Sequence, residues 1–298
     1  VRLAPYAAIF SAILIALSGV SFFTKGLNLG IDFIGGSMIE VQTPGPADIG
    51  KLRQTMMRVG GEDAQVQQMG SPNSAMLRFR TAEGVNPVDG AEAIKTELTK
   101  AFPGITFKKV EVVGPKVSGE LMTGGFMALG VAVLLMLLYI WFRFQLQFGL
   151  GAVVGVFHDV LLTLGMLSLT HLEFSMTSIA ALLTVIGYSM NEKVITFDRL
   201  KENLRKYKTT PLRDIIDLSE NERLSRTIIT GTTALLALGG TMAFGGPVLF
   251  PLVFTMVFGI IIGTYSSLYI ALPLILVWGV KRNDDDATPI KLGAASRP

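Results

Sequence analysis

The sequence predicts an α-helical membrane protein that has six transmembrane helices and one small α+β domain inserted after the first helix. Half of its 298 residues are hydrophobic and the mean hydropathy is +0.52, which is well above that of an ordinary soluble domain. Six apolar segments are long enough to cross a hydrocarbon core of about 30 Å. A polar stretch with strand and helix patterns separates the first segment from the other five.

The apolar segments give the membrane helices in chain order. They cover residues 3–23, 121–142, 148–169, 174–197, 228–244 and 252–278. The first is interpreted as a retained anchor, because its apolar core is longer than that of a signal peptide and no clear Ala-x-Ala cleavage site follows it. The last two share one uncharged stretch, which we divide at Gly245-Gly246-Pro247 and Pro251 because Gly-Gly-Pro marks a tight turn.

The distribution of Lys and Arg predicts the orientation in the membrane. Basic residues lie on one side of the predicted spans, at Arg143, Arg199, Lys201, Arg205, Lys206, Lys208, Arg213, Arg223, Lys281 and Arg282. The short loops on the other side, residues 170–173 and 245–251, contain no Lys or Arg. By the positive-inside rule both termini are cytoplasmic and the long polar stretch is outside. The net charge of +3 therefore needs no nucleic-acid partner, and the absence of cysteine excludes disulfides and thiol chemistry.

The polar stretch is predicted to be a folded domain rather than a linker. Alternating apolar residues indicate strands, and apolar residues at three- and four-residue spacing indicate helices. In chain order the elements are a strand at 38–42, a helix at 48–59, strands at 65–69 and 75–79, a helix at 88–102 and a strand at 106–113. This βαββαβ order is typical of a ferredoxin-like split unit.

The predicted division of the chain follows from these elements. It comprises a first transmembrane helix at 1–24, an extracytoplasmic α+β domain at 25–120, a five-helix membrane region at 121–280 with a cytoplasmic loop at 200–225, and a cytoplasmic tail at 281–298. Glycine pairs four residues apart recur inside the spans, at Gly151/Gly155 and Gly259/Gly263. Such pairs let helices approach closely in lipid, so helix packing is their expected role.

Glu192 is the strongest candidate for a functional residue. It lies in the fourth span, where the only other charge is Lys193, and an ionisable group inside the membrane is expensive. Helical rise puts it roughly 10 Å from the boundary marked by Arg199. Lys193 is expected to point elsewhere and to extend its head toward the cytoplasmic interface. Arg226 opens the next apolar segment and is expected to face Glu192, either in an ion pathway or in a static brace.

A second polar site interrupts the third span at His158 and Asp159. Helical rise from Arg143 puts the pair roughly 15–18 Å deep, close to mid-membrane. Histidine titrates near neutral pH, so the pair suits a relay or a polar lock between helices, and it is expected to connect the third span to the acid on the fourth. A packing histidine with a hydrogen-bonded Asp is an equal alternative.

The sequence predicts no enzyme activity, metal site or cofactor. It contains no H-E-x-x-H, Walker A, G-x-S-x-G or G-x-G-x-x-G pattern. ATP hydrolysis by this chain is therefore not expected, which leaves an ion gradient as its energy source.

Five motifs resemble one known family. They are GIDFIGG at 30–36, FHDVLLTLG at 157–165, GYSMNEKVITFDR at 187–199, RTIITGTT at 226–233 and FGGPVL at 244–249. On these motifs the chain closely resembles the SecF family of protein-export membrane subunits. The resemblance implies a resistance-nodulation-division (RND) membrane fold and a SecD partner, either as a separate chain or as a fused half.

The resemblance also implies roles for individual residues. The membrane acid of the family's Asn-acid pair falls on Glu192, after Asn191, and its fifth-span arginine falls on Arg226. The signature turn, with Gly30, Asp32, Phe33, Gly35 and Gly36, falls where the outer domain leaves the membrane, and Gly35-Gly36 is expected to act as a hinge. This chain departs from the family in having Glu rather than Asp at 192 and a lysine at 193, where a small uncharged residue is usual.

The implied function is assistance of late preprotein export across the cytoplasmic membrane of a prokaryote, driven by the proton-motive force. The implied partners are SecD, a SecYEG-type channel, the unfolded preprotein and membrane lipids. Two alternatives remain open, a proton-driven RND exporter of small molecules or lipids and a structural scaffold subunit. The small size of the outer domain argues against the exporter, and neutralising Glu192 tests the scaffold.

Overall fold

The computed structural model describes residues 3–59, 61–81, 84–144 and 146–279. Its elements in chain order are α1 (Ala4–Lys25), β1 (Asn28–Leu29), α2 (Ile31–Ile34), β2 (Gly36–Gln42), α3 (Ile49–Arg58), β3 (Gly61–Gln68), β4 (Ser74–Thr81), α4 (Pro87–Ala101), β5 (Thr106–Val113), α5 (Pro115–Arg143), α6 (Leu146–Thr170), β6 (Glu173–Phe174), α7 (Met176–Lys206), α8 (Leu212–Phe244), α9 (Gly246–Ser266), a π-helical segment (Ser267–Ala271) and α10 (Leu272–Trp278). The predicted tail at 281–298, with Lys281 and Arg282, lies outside the described residues.

Five helical stretches in the described part of the chain are long and apolar enough to cross a membrane. They are Ala4–Lys25, Pro115–Arg143, Gln147–Thr170, Leu212–Phe244 and Leu249–Trp278. The stretch 249–278 is continuous and comprises most of α9, the π-helical segment and α10. Helix α7 is 31 residues long but more polar, because Glu192, Lys193 and several polar residues interrupt its apolar sequence.

The membrane helices form an inner and an outer group. Most of the apolar window of α6 is buried, whereas the windows of α1, α5 and α8 are largely exposed. Their exposed side chains are mainly large and apolar, as at Ile9, Leu134 and Leu236. Such a surface suits contact with lipid rather than water. Helices α6, α7 and α9 therefore lie in the centre, with α1, α5 and α8 around them.

Most of the predicted cytoplasmic loop at 200–225 is helical. Helix α7 continues to Lys206 and α8 begins at Leu212, so only residues 207–211 are non-helical. Pro211 precedes α8, where a proline is tolerated because the first turn lacks intrahelical acceptors for its N–H groups. The helical backbone therefore sets the directions in which the charged side chains of this stretch project. The tight turn predicted at Gly245-Gly246-Pro247 separates α8 from α9, and Gly246 has a positive φ of 74°.

The α+β domain is a four-stranded antiparallel sheet covered by two helices. Its strand order is β3-β4-β2-β5, and its elements follow one another as β-α-β-β-α-β, the order predicted. Alternating residues of the strands and one stripe of each helix share a buried core, represented by Ile39, Leu77, Leu52 and Leu98. The strand at Thr106–Val113 has the predicted bounds, and the other elements differ by a few residues at their ends.

A short parallel ladder ties this domain to the membrane helices. Strand β1 follows α1, and strand β6 lies between α6 and α7; Asn28 pairs with Glu173 and Leu29 with Phe174. The backbone N–H of Gly30 also donates to the carbonyl oxygen of Phe174 at 2.8 Å. The segment at which the domain joins the membrane region is thus fixed to the start of α7.

Candidate functional site

Two charged clusters lie on different faces of α7, and each contains one of two adjacent residues of this helix. Glu192 is 1% exposed and Lys193 is fully buried. Neighbouring positions on a helix are about 100° apart, so the two side chains contact different helices. We call them the Glu192 cluster, which faces α8, and the Lys193 cluster, which faces α6 and α9.

The Glu192 cluster is organised around one guanidinium group. Glu192 Oε2 accepts hydrogen bonds from Arg223 Nη1 at 3.2 Å and from Thr227 Oγ1 at 2.9 Å. The second terminal nitrogen of Arg223 donates to Glu220 Oε2 at 3.1 Å and to Ser267 Oγ at 3.2 Å. Arg223 therefore lies between two carboxylates, one on α7 and one on its own helix.

Arg226 is not the partner of Glu192, which corrects the prediction. Its side chain is exposed, and no hydrogen bond or ion pair joins it to Glu192 among the described residues. Arg223 and Thr227 are four residues apart and share the face of α8 that meets α7. Arg226 is turned about 100° from Thr227. Asn191 is exposed as well, and no contact recorded in the described part of the chain joins it to the cluster.

The Lys193 cluster holds an ammonium group among three oxygens. Lys193 Nζ donates to Asp159 Oδ2 at 2.9 Å, to Ser189 Oγ at 2.5 Å and to Ser266 Oγ at 2.9 Å. The prediction that this lysine extends to the cytoplasmic interface is therefore wrong. Gly155 on α6 provides the space for it, because a Cβ at this glycine would overlap the end of the lysine stem.

Asp159 and His158 connect this cluster to α1. Asp159 Oδ1 lies 2.9 Å from His158 Nδ1, and His158 Nε2 lies 3.1 Å from Ser11 Oγ. Ser11 Oγ in turn lies 2.9 Å from the hydroxyl of Tyr265 on α9. Both predicted residues are buried, but Asp159 pairs with Lys193 rather than with Glu192. The expected direct connection to the acid is absent from the described contacts, and the pair forms a polar lock among α1, α6, α7 and α9.

The signature turn contacts α7 directly. Asp32 Oδ2 accepts a hydrogen bond from the backbone N–H of Met176 at 2.9 Å, so a carboxylate lies at the N-terminus of α7, where the helix dipole favours negative charge. The Phe33 ring stacks on Phe174 with centroids 5.5 Å apart and lies near Phe126 of α5. The turn thus contacts both the first residue of the helix that contains Glu192, through Asp32, and the strand before it, through Phe33.

The paired glycines of this turn have conformations that suit glycine. Gly35 has φ 70° and Gly36 has φ 123°, which other residues rarely adopt. A Cβ at Gly36 would also lie 2.7 Å from the carbonyl oxygen of Phe79. Valine at either position would therefore strain the fold whether or not the turn is a hinge.

A charged contact crosses the same junction. Arg78 on β4 lies 3.8 Å from Glu173 on β6, and Arg78 Nη1 also donates to Asn28 Oδ1 at 3.4 Å. Burial raises the pKa of Glu173, and the nearby charge of Arg78 opposes this shift. The α+β domain and the loop before α7 therefore make contact through polar groups as well as through the β1–β6 ladder.

Sequence reasoning missed Arg223, Ser266 and Ser267. Arg223 was assigned to a loop, although its four-residue spacing to Thr227 was visible. The two serines lie next to each other in an uncharged span, and each belongs to a different cluster. They stand where α9 gives way to the π-helical segment, and such segments often occur at functional sites.

Comparison with known families finds two matches along the chain. The family described as "Protein export membrane protein SecD/SecF, C-terminal" matches residues 93–281. The family described as "SecD/SecF GG Motif" matches residues 20–43, which include the signature turn. Together the two matches cover the junction, most of the membrane region and every charged residue of the two clusters.

Relatives cover nearly the whole chain. A "Protein translocase subunit SecF" of Cereibacter sphaeroides is 43% identical over 94% of this chain and 89% of its own length. One of Rickettsia bellii is 41% identical over 90% of each chain. The crystal structure of SecDF, a translocon-associated membrane protein from Thermus thermophilus, superposes with a TM-score of 0.85 at 32% identity. This chain covers 38% of that structure's length.

Proposed function

This chain belongs to the SecD/SecF family of protein-export membrane proteins, as a SecF-type subunit of the protein translocation machinery, and we propose that it uses proton flow through the Glu192 cluster to drive late steps of preprotein export. We further propose that six helices span the cytoplasmic membrane, with α7 as the fourth, and that both termini are cytoplasmic. The α+β domain is then ferredoxin-like and extracytoplasmic. SecD is its partner, near a SecYEG-type channel, and the unfolded preprotein and membrane lipids are its other contacts.

The buried pair of Glu192 and Arg223 is the observation that supports proton coupling. Two ionised groups in a membrane interior are stable only while they are paired and hydrogen-bonded. A proton on Glu192 removes one charge, and Arg223 keeps Glu220 and Ser267 as partners. Proton uptake would thus weaken the contact between α7 and α8 without leaving the guanidinium unpaired, which is what a two-state coupling element requires.

The signature turn offers a route from this cluster to the outer domain. Glu192 and Met176 lie on the same helix, and Met176 is bonded to Asp32. A shift of α7 against α8 would therefore move the base of the α+β domain. We propose that Gly30, Asp32, Phe33, Gly35 and Gly36 form this joint, and that the domain acts on preprotein emerging outside.

Gradient-dependent export tests this function. Preprotein export is measured in inverted membrane vesicles with and without an ionophore that collapses the proton gradient. We expect Glu192→Gln to lose the stimulation by the gradient and Glu192→Asp to retain part of it. Glu202→Gln, on an exposed acid of the same helix, is the matched control and should export like the wild type. Wild-type stimulation in Glu192→Gln would show that the acid is a brace and would favour the scaffold.

Labelling tests the orientation independently. Single cysteines at Gln65, on the α+β domain, and at Lys206, at the end of α7, are both exposed positions. An impermeant thiol reagent added outside should label the first and not the second. Labelling of the second position from outside would overturn the orientation.

A further inference from the structure

The environment of Lys193 Nζ has the form of a small cation site. An ammonium group has three N–H donors and no acceptor. Here the three donors are directed at Asp159 Oδ2, Ser189 Oγ and Ser266 Oγ, at 2.9, 2.5 and 2.9 Å. The oxygens come from three helices, α6, α7 and α9, so they converge through tertiary packing and not through local sequence. All three residues are at most 1% exposed.

The oxygens of the site also contact one another. Ser189 Oγ and Ser266 Oγ both donate to Asp159 Oδ2, at 2.5 and 2.7 Å. The remaining carboxylate oxygen is held by His158 Nδ1. These contacts fix the orientation of the carboxylate and both hydroxyls without help from Lys193. The oxygen set is therefore preorganised.

Two glycines make room for the site, Gly155 for the lysine stem and Gly263 for Ser189. A Cβ at Gly155 would overlap Lys193 Cε, and a Cβ at Gly263 would lie 3.2 Å from Ser189 Cβ. The stem of the lysine therefore packs against Gly155 of α6, where a larger residue would overlap it. Shortening the side chain at 193 would empty the volume of this stem and leave room for an ion.

The charge and chemistry of the site match a monovalent cation. One carboxylate and two neutral hydroxyls balance a single positive charge, and hard cations take oxygen ligands of this kind. Without the ammonium, Asp159 would be an uncompensated buried carboxylate, which is unfavourable unless a proton or another cation neutralises it.

We infer that Asp159, Ser189 and Ser266 form a monovalent-cation site in which the ammonium of Lys193 is the resident cation. Because this cation is tethered to α7, it cannot leave, and Na⁺ or K⁺ cannot enter. The geometry of these three oxygens defines the site. Its consequence, that the coupling ion must use the Glu192 cluster and not Asp159, rests on the proposed function.

Salt-selective stabilisation of a shortened variant tests the inference. Thermal unfolding of the full chain in detergent is followed in NaCl, KCl and choline chloride at equal ionic strength. The wild type should unfold at one temperature in all three salts. Lys193→Ala should unfold about 2–4 °C higher in NaCl or KCl than in choline chloride, the shift expected when the ion is present at about ten times its Kd.

Two matched variants separate ion binding from a general effect of salt. Lys193→Met keeps the stem volume without the charge, so it leaves no room for the ion and should show no difference among the salts. Lys193→Ala combined with Asp159→Asn removes the charged ligand and should lose the difference as well.

Three results would overturn the inference. One is an equal unfolding temperature of Lys193→Ala in the three salts. Another is failure of Lys193→Ala to fold in any salt, because a bound cation should replace the ammonium. The third is selective stabilisation of the wild type by Na⁺ or K⁺ that is lost in Asp159→Asn, because it would mean that the lysine does not exclude these ions.

Discussion

The two charged clusters of α7 differ in how many acids share the positive charge. In the Glu192 cluster one guanidinium serves two carboxylates, at 3.2 and 3.1 Å. In the Lys193 cluster one ammonium serves one carboxylate and two hydroxyls. When Glu192 takes up a proton, Arg223 still has Glu220 as a hydrogen-bonded partner, whereas protonation of Asp159 would leave a charged lysine among neutral groups.

Under the proposed function, this difference makes the Glu192 cluster a protonation switch and the Lys193 cluster a fixed lock between helices. Protonation of Glu192 removes one of two alternative partners of Arg223, so the cluster has two acceptable arrangements. Protonation of Asp159 would leave a fully buried ammonium without an anion, which is costly. Glu192 and Lys193 are adjacent in sequence but belong to different clusters. Ser266 and Ser267 are also adjacent and also belong to different clusters. Two adjacent residues on each of two packed helical stretches therefore contribute to two separate hydrogen-bonded clusters.

The largest effect on stability should come from breaking the ion pair between Lys193 and Asp159. Lys193→Met leaves Asp159 buried without a counter-charge and should lower the free energy of unfolding by about 3–5 kcal/mol. Adding Asp159→Asn removes the unpaired charge and should restore most of the loss. Both are measured by denaturant unfolding in detergent. If Lys193→Met were as stable as the wild type, the ion pair between Lys193 and Asp159 would not hold the helices together.

A smaller effect should distinguish the two arginines of α8. Arg223→Met removes the cation shared by the acids and should cost about 2–3 kcal/mol, less than the lock because Glu220 is partly exposed. Arg226→Met is the matched control on the same helix and should change stability by no more than about 0.5 kcal/mol. Equal losses in unfolding experiments on the two variants would contradict the assignment of Arg223 as the partner of Glu192.

The smallest effect on stability should come from replacing Glu192, the proposed protonation switch. Glu192→Gln keeps the shape of the side chain and leaves Arg223 with Glu220 and Ser267, so it should cost only about 1–2 kcal/mol. The same unfolding assay checks this value, with Glu202→Gln as the exposed control. A loss as large as that of Lys193→Met would show that both clusters are structural, and the contrast between them would disappear.

Periodicity predicted the elements that depend on local burial. The α+β domain could be predicted because its strands alternate and its helices have one apolar stripe, as in Ile49, Leu52 and Met56 of α3. The buried acid at Glu192 could be found because a charge inside an apolar segment is conspicuous. The family resemblance adds the signature turn but not its contact with Met176, which depends on how separate segments pack.

The remaining features depend on neighbours that are distant in sequence. Arg223 was missed because hydropathy marks the apolar part of a helix and not its polar continuation, so a helical residue was assigned to a loop. The predicted direction of the Lys193 side chain was wrong because the space that it occupies is provided by Gly155 on another helix. Strands β1 and β6 have two residues each, too few to give a periodic signal.

Infrared difference spectroscopy of the carboxyl groups tests most directly which cluster takes up the proton. Spectra of the full chain are compared between neutral and acidic pH, for the wild type, for Glu192→Gln and for the double variant Lys193→Met with Asp159→Asn. Glu220→Gln serves as a control that identifies the signal of the neighbouring acid. We expect a protonated-carboxyl band of a buried group that is missing only in Glu192→Gln. A band that persists in Glu192→Gln and is lost in the double variant would place the proton on Asp159, and would contradict the division of α7 into a switch and a lock.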